Sequence, residues 1–186
     1  MNTPTLNIHK EIIDKCRLGD SRAQHQLYLL YSKAMFNTSV RICGSREDAE
    51  DALQESFVSA FRNIKSYRGD ASFGAWLKRI VINKSLNQIK KRGQEIALIE
   101  SAEPKEDYTE AEAETFSPNY SVIEIRNSLN ELAPGFRTVL SLYLFEGYDH
   151  QEISEILGIS ESTSKTQYKR AKERLKSKLI EVKKYG

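Results

Sequence analysis

The chain has 186 residues, 39% of them apolar, with 28 Lys and Arg against 26 Asp and Glu and a formal net charge of +2. That length supports one large or two small domains with a core in each. No apolar run approaches the roughly 18 residues that a membrane-spanning helix needs, so no insertion into a membrane is expected. The two cysteines, Cys16 and Cys43, cannot make a disulfide framework, and no second Cys pair supplies zinc-ligand spacing. The amino terminus lacks the basic head and apolar stretch of an export signal. These features predict a reduced, cytoplasmic chain.

Gly19, Gly44, Gly69, Gly93, Gly147 and Gly158 separate runs of helical periodicity, and no alternating strand pattern occurs between them. Helices are predicted at 8–18, 20–43, 45–66 and 72–91, then at 119–132, 134–146, 149–157 and 161–181. Pro134 sits in the first turn of its helix, where a missing N–H costs nothing. The predicted fold class is all-α: two small helical domains, 1–92 and 120–186, joined by a linker at 93–119. The linker reading rests on charge. Residues 93–120 hold 8 acidic side chains and 1 basic one, and self-repulsion with few large apolar groups favours a flexible tether. The flanking segments are basic: 16 against 9 acidic in residues 1–92, and 9 against 3 in residues 161–186. Two basic surfaces on an acidic tether fit a polyanionic partner, and equally fit two solvated helix faces on a soluble linker.

Three surfaces follow in chain order. In the helix at 45–66, Ala49, Leu53, Phe57, Ala60 and Ile64 share one face by three- and four-residue spacing, while Glu47, Asp48, Asp51 and Glu55 gather on the other. Glu47 and Asp48 are explained by the helix dipole. Asp51 and Glu55 have no Lys or Arg four residues onward to pair with, and such a stripe suits a basic protein surface. In the helix at 72–91, Phe73, Leu77, Ile80 and Val81 form one side, and Trp76, Arg79, Asn83, Asn87 and Lys90 line another. A polar loop, Tyr67-Arg68-Gly69-Asp70-Ala71-Ser72-Phe73, precedes it. Cations for phosphates, amides for base edges and rings for unpaired bases suit nucleic acid, although a tryptophan such as Trp76 is more often core than platform and the two asparagines fit a solvated face as well. Residues 149–177 read as a short helix, a turn at Leu157-Gly158-Ile159-Ser160, and a longer basic helix capped by Ser160. Tyr168, Ala171, Leu175 and Leu179 form the buried stripe of that second helix. Ser162, Lys165, Thr166, Lys169 and Lys172 point away from it. This is the layout of a helix-turn-helix, whose second helix enters the major groove. Cap, glycine turn and one-sided basic face together favour DNA binding over a plain helical hairpin.

The stretch EDAEDALQESFVSAFRNIKSYRGDASFGAWLKRIVINKSLNQIKKR (47–92) resembles region 2 of bacterial sigma factors, and LNELAPGFRTVLSLYLFEGYDHQEISEILGISESTSKTQYKRAKERLKSKL (129–179) resembles their region 4. The order of the two, with a short linker between, is similar to the extracytoplasmic-function (ECF) subgroup. The resemblance implies that Asp48, Asp51, Gln54 and Glu55 bind core RNA polymerase. It implies that the 67–73 loop, with Tyr67, Arg68, Asp70 and Ser72, and the adjoining helix, with Trp76, Arg79, Asn83, Asn87 and Lys90, meet the minus-ten promoter element. Asn83 and the loop would hold a flipped base. It further implies that Ser162, Lys165, Thr166, Lys169, Arg170 and Lys172 contact duplex DNA at the minus-thirty-five element, and that the acidic linker threads the polymerase cleft. Many members of the family have an apolar residue where this chain has Ser164, and Arg where it has Gln167. Members are commonly held inactive by an anti-sigma factor, often membrane-anchored, so such a partner is expected here, and no appended regulatory domain is.

The competing reading is a helix-turn-helix regulator that binds duplex DNA without joining polymerase, which leaves the acidic helix and the 67–73 loop without a role. An enzyme is not expected. The sequence has no phosphate-cradling glycine loop, no nucleophile with a base and no metal-ligand spacing, so no cofactor is predicted. His9, His25 and His150 are scattered, and the pair Asp149-His150 suits capping or orienting a helix better than binding metal.

Overall fold

The structure, a computed structural model, describes residues 9–92 and 120–185. The chain divides into two compact units, residues 1–96 and 97–186. All the regular structure among the described residues is helical. The predicted linker at 93–119 lies outside the described residues.

The first unit contains α1 (Lys10–Arg17), α2 (Ser21–Cys43), α3 (Arg46–Arg62) and α4 (Phe73–Lys91), with a short 3-10 turn at Ile64–Ser66 after α3. Each start has a local cause. Asp20 accepts from the Arg22 and Ala23 amides, Ser45 from Asp48 and Ser72 from Ala75, satisfying N–H groups that a first turn leaves orphaned. The end of α2 is set by Gly44, whose φ of 71° is a left-handed conformation that glycine adopts without steric cost. The core is Ile13, Cys16, Ala23, Leu27, Met35, Leu53, Phe57, Ala60, Ile64, Tyr67, Phe73, Leu77 and Val81. Burying a Leu or Phe of this kind is worth about 1.5–3 kcal/mol each. A second interior zone uses small side chains: Cys43, Ala49 and Ala52 pack together, and the Ser39 and Ser85 hydroxyls meet at 2.8 Å between α2 and α4. Neither cysteine is in a disulfide and both are buried; burial pushes the Cys16 thiol up to about 11, leaving it protonated and unreactive.

The predicted helix 45–66 is broken at its end. The Asn63 side-chain amide donates to the Ser59 carbonyl at 2.9 Å, competing with the backbone ladder, and the chain tightens into the 3-10 turn. That turn delivers Tyr67 to the core, where it is only 3% exposed.

The second unit contains α5 (Val122–Asn130), α6 (Pro134–Leu144), α7 (His150–Leu157) and α8 (Glu161–Tyr185). Ser121 with Glu124, and Asp149 with Glu152, form reciprocal capping boxes at α5 and α7. Leu129, Leu132, Phe136, Leu140 and Ala171 form the core, with Tyr168 and Leu175 packed on it. Arg137 is buried beneath the α5–α6 turn and donates to the carbonyls of Asn130 and Leu132. A guanidinium thus takes up acceptors that the end of α5 leaves over. Gly158, at φ 68°, ends α7, and Ser160 accepts from the Thr163 amide at 3.0 Å to start α8.

Candidate functional site

The exposed side of α4 is built by the same spacing that buries its other side. Phe73, Leu77, Val81, Ile82, Ser85, Leu86, Gln88 and Ile89 face inward, so Arg79, Asn83, Asn87 and Lys90 are left together on the outer stripe, all exposed, with Trp76 half-buried at its upper end. Trp76 packs at 5.3 Å from the Tyr67 ring and 5.5 Å from Phe73, so one side of the indole is fixed in the core margin. The stripe therefore offers cations, amides and an aromatic edge on one face, the mixture that single-stranded nucleic acid requires.

The loop before α4 is held in shape. The Tyr67 hydroxyl donates to the Ala71 carbonyl at 2.7 Å, and Gly69 turns the chain at φ 87°. Arg68 and Asp70 lie exposed at the loop tip with a 3.4 Å ion pair between them, and Ser72 is committed to capping α4. Tyr67, expected in the loop that meets the minus-ten element, presents little of its ring to solvent. The ring is buried against Phe73 and Trp76, where the 3-10 turn directs it, and its hydroxyl closes the loop from below.

The acidic side of α3 has partners in α4 rather than none. Glu55 accepts from Lys91 at 2.9 Å and from Lys84 at 3.4 Å, and Asp51 accepts from Gln88 at 3.3 Å. Arg92 spans Glu47 at 3.4 Å and Asp48 at 2.7 Å. The Lys91 hydrogen bond, reinforced by Lys84, holds the Glu55 carboxyl below the usual carboxylate range. The Asp48 side chain is only 10% exposed, so of the four acidic-helix residues singled out in the sequence it presents least to a partner. Asp51 and Gln54 are exposed and Glu55 is partly so. Lys91 and Arg92, which follow the α4 stripe in sequence, turn toward α3 and leave Lys90 as its terminal cation.

In the second unit, Ser162, Lys165, Thr166, Lys169 and Lys172 are exposed along α8 and Arg170 is partly buried. Lys165 pairs with Glu161 at 2.7 Å, the Thr166 hydroxyl donates to the Ser162 carbonyl, and the Lys172 ammonium lies 5.7 Å from the Tyr168 ring centre. Beneath this face is a feature that the amphipathic pattern does not reveal. Ser164 is fully buried, and its hydroxyl meets His150 Nδ1 at 2.9 Å. The imidazole stacks on Tyr143 at 4.7 Å, and Tyr143 lies 4.4 Å from Tyr168. His150, the first residue of α7, therefore fastens the first turns of α8. Among the described residues no group of His, Cys, Asp or Glu side chains is arranged to hold a metal ion, and no helix is long and apolar enough to cross a membrane.

Comparison with known proteins matches both units. The Sigma-70 region 2 family matches residues 27–95 and the Sigma-70 region 4 family residues 123–175. The chain is 31% identical over 158 residues to the ECF RNA polymerase sigma factor SigM of Mycobacterium tuberculosis, covering 84% of this chain and 77% of that one. It is 27% identical over 180 residues to the RNA polymerase sigma-H factor of Pseudomonas aeruginosa, covering 88% and 90%. The sigma factor RpoE of Bartonella quintana, solved in complex with the anti-sigma factor NepR, shares the fold with a TM-score of 0.59 at 24% identity over 84% of this chain and 96% of that one. With two successive region matches and a relative of this identity and coverage, the chain belongs to the ECF RNA polymerase sigma factors.

Proposed function

We propose that this sigma factor joins core RNA polymerase through the exposed part of α3, captures the melted minus-ten strand on α4 and its loop, and reads the minus-thirty-five duplex with α8. One observation carries the reading. The same chain has a polar stripe beside a braced loop in its first unit and a capped, basic helix-turn-helix in its second, a pairing that a regulator of duplex DNA alone does not need. The work is binding and positioning without chemistry of its own, carried out in the cytoplasm with polymerase and promoter DNA as partners. An anti-sigma factor, of the kind that accompanies the Bartonella RpoE, would be its inhibitor.

The test is to mix the purified chain with core RNA polymerase, isolate the complex by gel filtration, and transcribe sheared host DNA with it. Discrete new start sites that core polymerase alone does not use are the expected result. Binding to duplex DNA without complex formation would instead identify a regulator acting apart from polymerase. Within the docking surface, Asp51→Ala with Gln54→Ala is expected to weaken the complex by about 1–3 kcal/mol, the range of a central interface contact. The far-ultraviolet circular dichroism should be unchanged, because both side chains are exposed. Charge reversal at Glu55 is the poorer test, since a lysine there would face Lys84 and Lys91.

Asn83→Ala is expected to impair promoter opening more than duplex binding. An exposed amide offers both a donor and an acceptor to the edge of an extruded base. Permanganate reactivity of unpaired thymines, on duplex and on pre-melted promoters, measures the two steps separately. Full opening of duplex DNA by the variant would count against the pocket.

A further inference from the structure

No site residue considered so far lies in α1, yet α1 reaches the capture loop. The Arg17 guanidinium donates through Nη2 to the Tyr67 carbonyl and through Nη1 to Asp14 Oδ1 at 2.8 Å. Its carbon lies 6.0 Å from the centre of the Tyr67 ring. Tyr67 is thus gripped twice. Arg17 holds its backbone and covers its ring, while its hydroxyl closes the loop by donating to Ala71. The Arg17 side chain is about one-third exposed, at 34%, where a charge-assisted bond to a carbonyl is only partly screened. Asp14 fixes the direction of the guanidinium, and Lys10 in turn pairs with Asp14 at 2.9 Å. The loop tip itself, Arg68 to Ala71, is exposed and contains one left-handed glycine. Apart from the Arg68–Asp70 pair across the tip, the bonds described here anchor the loop at its base.

We propose that Arg17 is a positioning residue for the minus-ten strand: it fixes the start of the 67–72 loop so that Arg68, Asp70 and the α4 stripe meet an unpaired base in one preset geometry. This rests on the capture role proposed above for the loop and Asn83. A loop already in its binding conformation has less entropy to lose when the strand arrives. Releasing Arg17 should therefore weaken capture without removing any group that touches the strand.

The test uses the full chain in complex with core RNA polymerase, on a promoter identified by the transcription assay above and on a forked version of it whose minus-ten strand is already unpaired. Arg17→Met keeps the apolar stem and removes the donors. Affinity for the fork and the open fraction on duplex are expected to fall about tenfold, the scale of one lost charge-assisted hydrogen bond. Affinity for core polymerase should stay native. Arg17→Lys, which keeps one donor, should recover most of the loss, a rescue that loss of bulk packing would not give. If Arg17→Met lowers the melting temperature, the comparison is made at a temperature where circular dichroism shows both variants folded. Native fork affinity in Arg17→Met, alongside a defect in Asn83→Ala, would overturn the positioning role and leave capture standing. Native behaviour of Asn83→Ala and of Arg68→Ala with Asp70→Ala would overturn capture itself, and the positioning role with it.

Discussion

Replacing Phe73 by alanine is expected to cost the first unit about 3–5 kcal/mol, the range for truncating a buried aromatic side chain. Phe73 is 1% exposed and forms the first residue of α4, with edge-to-face contacts to Tyr31 at 5.3 Å and Tyr67 at 5.6 Å. The cavity would open where α2, α4 and the 67–72 loop converge, between Tyr31 and Tyr67. At about 4–8 °C per kcal/mol for a unit of this size, the unfolding midpoint should drop by well over 10 °C. Trp76 is the only tryptophan in the chain and lies in the first unit, so its emission follows this transition alone. The second unit has its own core and should keep its midpoint, which circular dichroism records as a separate step. A fall of less than about 2 kcal/mol would mean that the ring is less tightly packed than the contacts indicate.

Lys165→Ala is expected to change which upstream sequence is preferred, whereas Lys172→Ala should weaken all sequences alike. Early residues of a recognition helix reach base edges, and later cations meet phosphate. Loss of a base contact costs about 1–3 kcal/mol at the affected position. Lys165 must first leave Glu161, an exposed pair worth only about 0.2–1 kcal/mol, so the pair lowers the gain without cancelling it. Loss of one phosphate contact should flatten the salt dependence of binding by about one unit. The measurement is holoenzyme affinity for a panel of upstream-element duplexes at several salt concentrations. A uniform loss for Lys165→Ala would show that this lysine touches phosphate only.

Much of this architecture is legible in the sequence because its causes are local. Ser45, Ser72, Asp149 and Ser160 stand at helix starts with side chains that cap them, and Gly44 and Gly158 stand at ends that need a left-handed turn. The outer stripe of α4 follows from three- and four-residue spacing alone. What spacing cannot show is pairing at a distance. Glu47, Asp48, Asp51 and Glu55 of α3 look unpartnered when only positions four residues away are considered. Their partners Lys84, Gln88, Lys91 and Arg92 come from another helix, brought near only by the core between them. The direction of the Tyr67 ring is hidden for a similar reason. An aromatic at the edge of a polar loop is equally consistent with an outward or an inward ring, and the 3-10 turn after Asn63 decides for inward. Arg17 is hidden in the same way, because its contact spans 50 residues to a backbone carbonyl, an acceptor every residue carries.

The hydrogen bond between His150 and Ser164 makes the recognition helix less portable than its modular outline suggests. Transplanting α8 from a relative with an apolar residue at position 164 would take the serine partner from the half-buried His150 Nδ1, and polar groups left unpaired on burial are costly. Changing His150 alone would strand the serine hydroxyl instead. Substituting both with apolar residues of fitting shape removes the conflict. Attempts to redirect this sigma factor to new promoters should therefore exchange the first residue of α7 together with α8, even though that residue lies beneath the reading face.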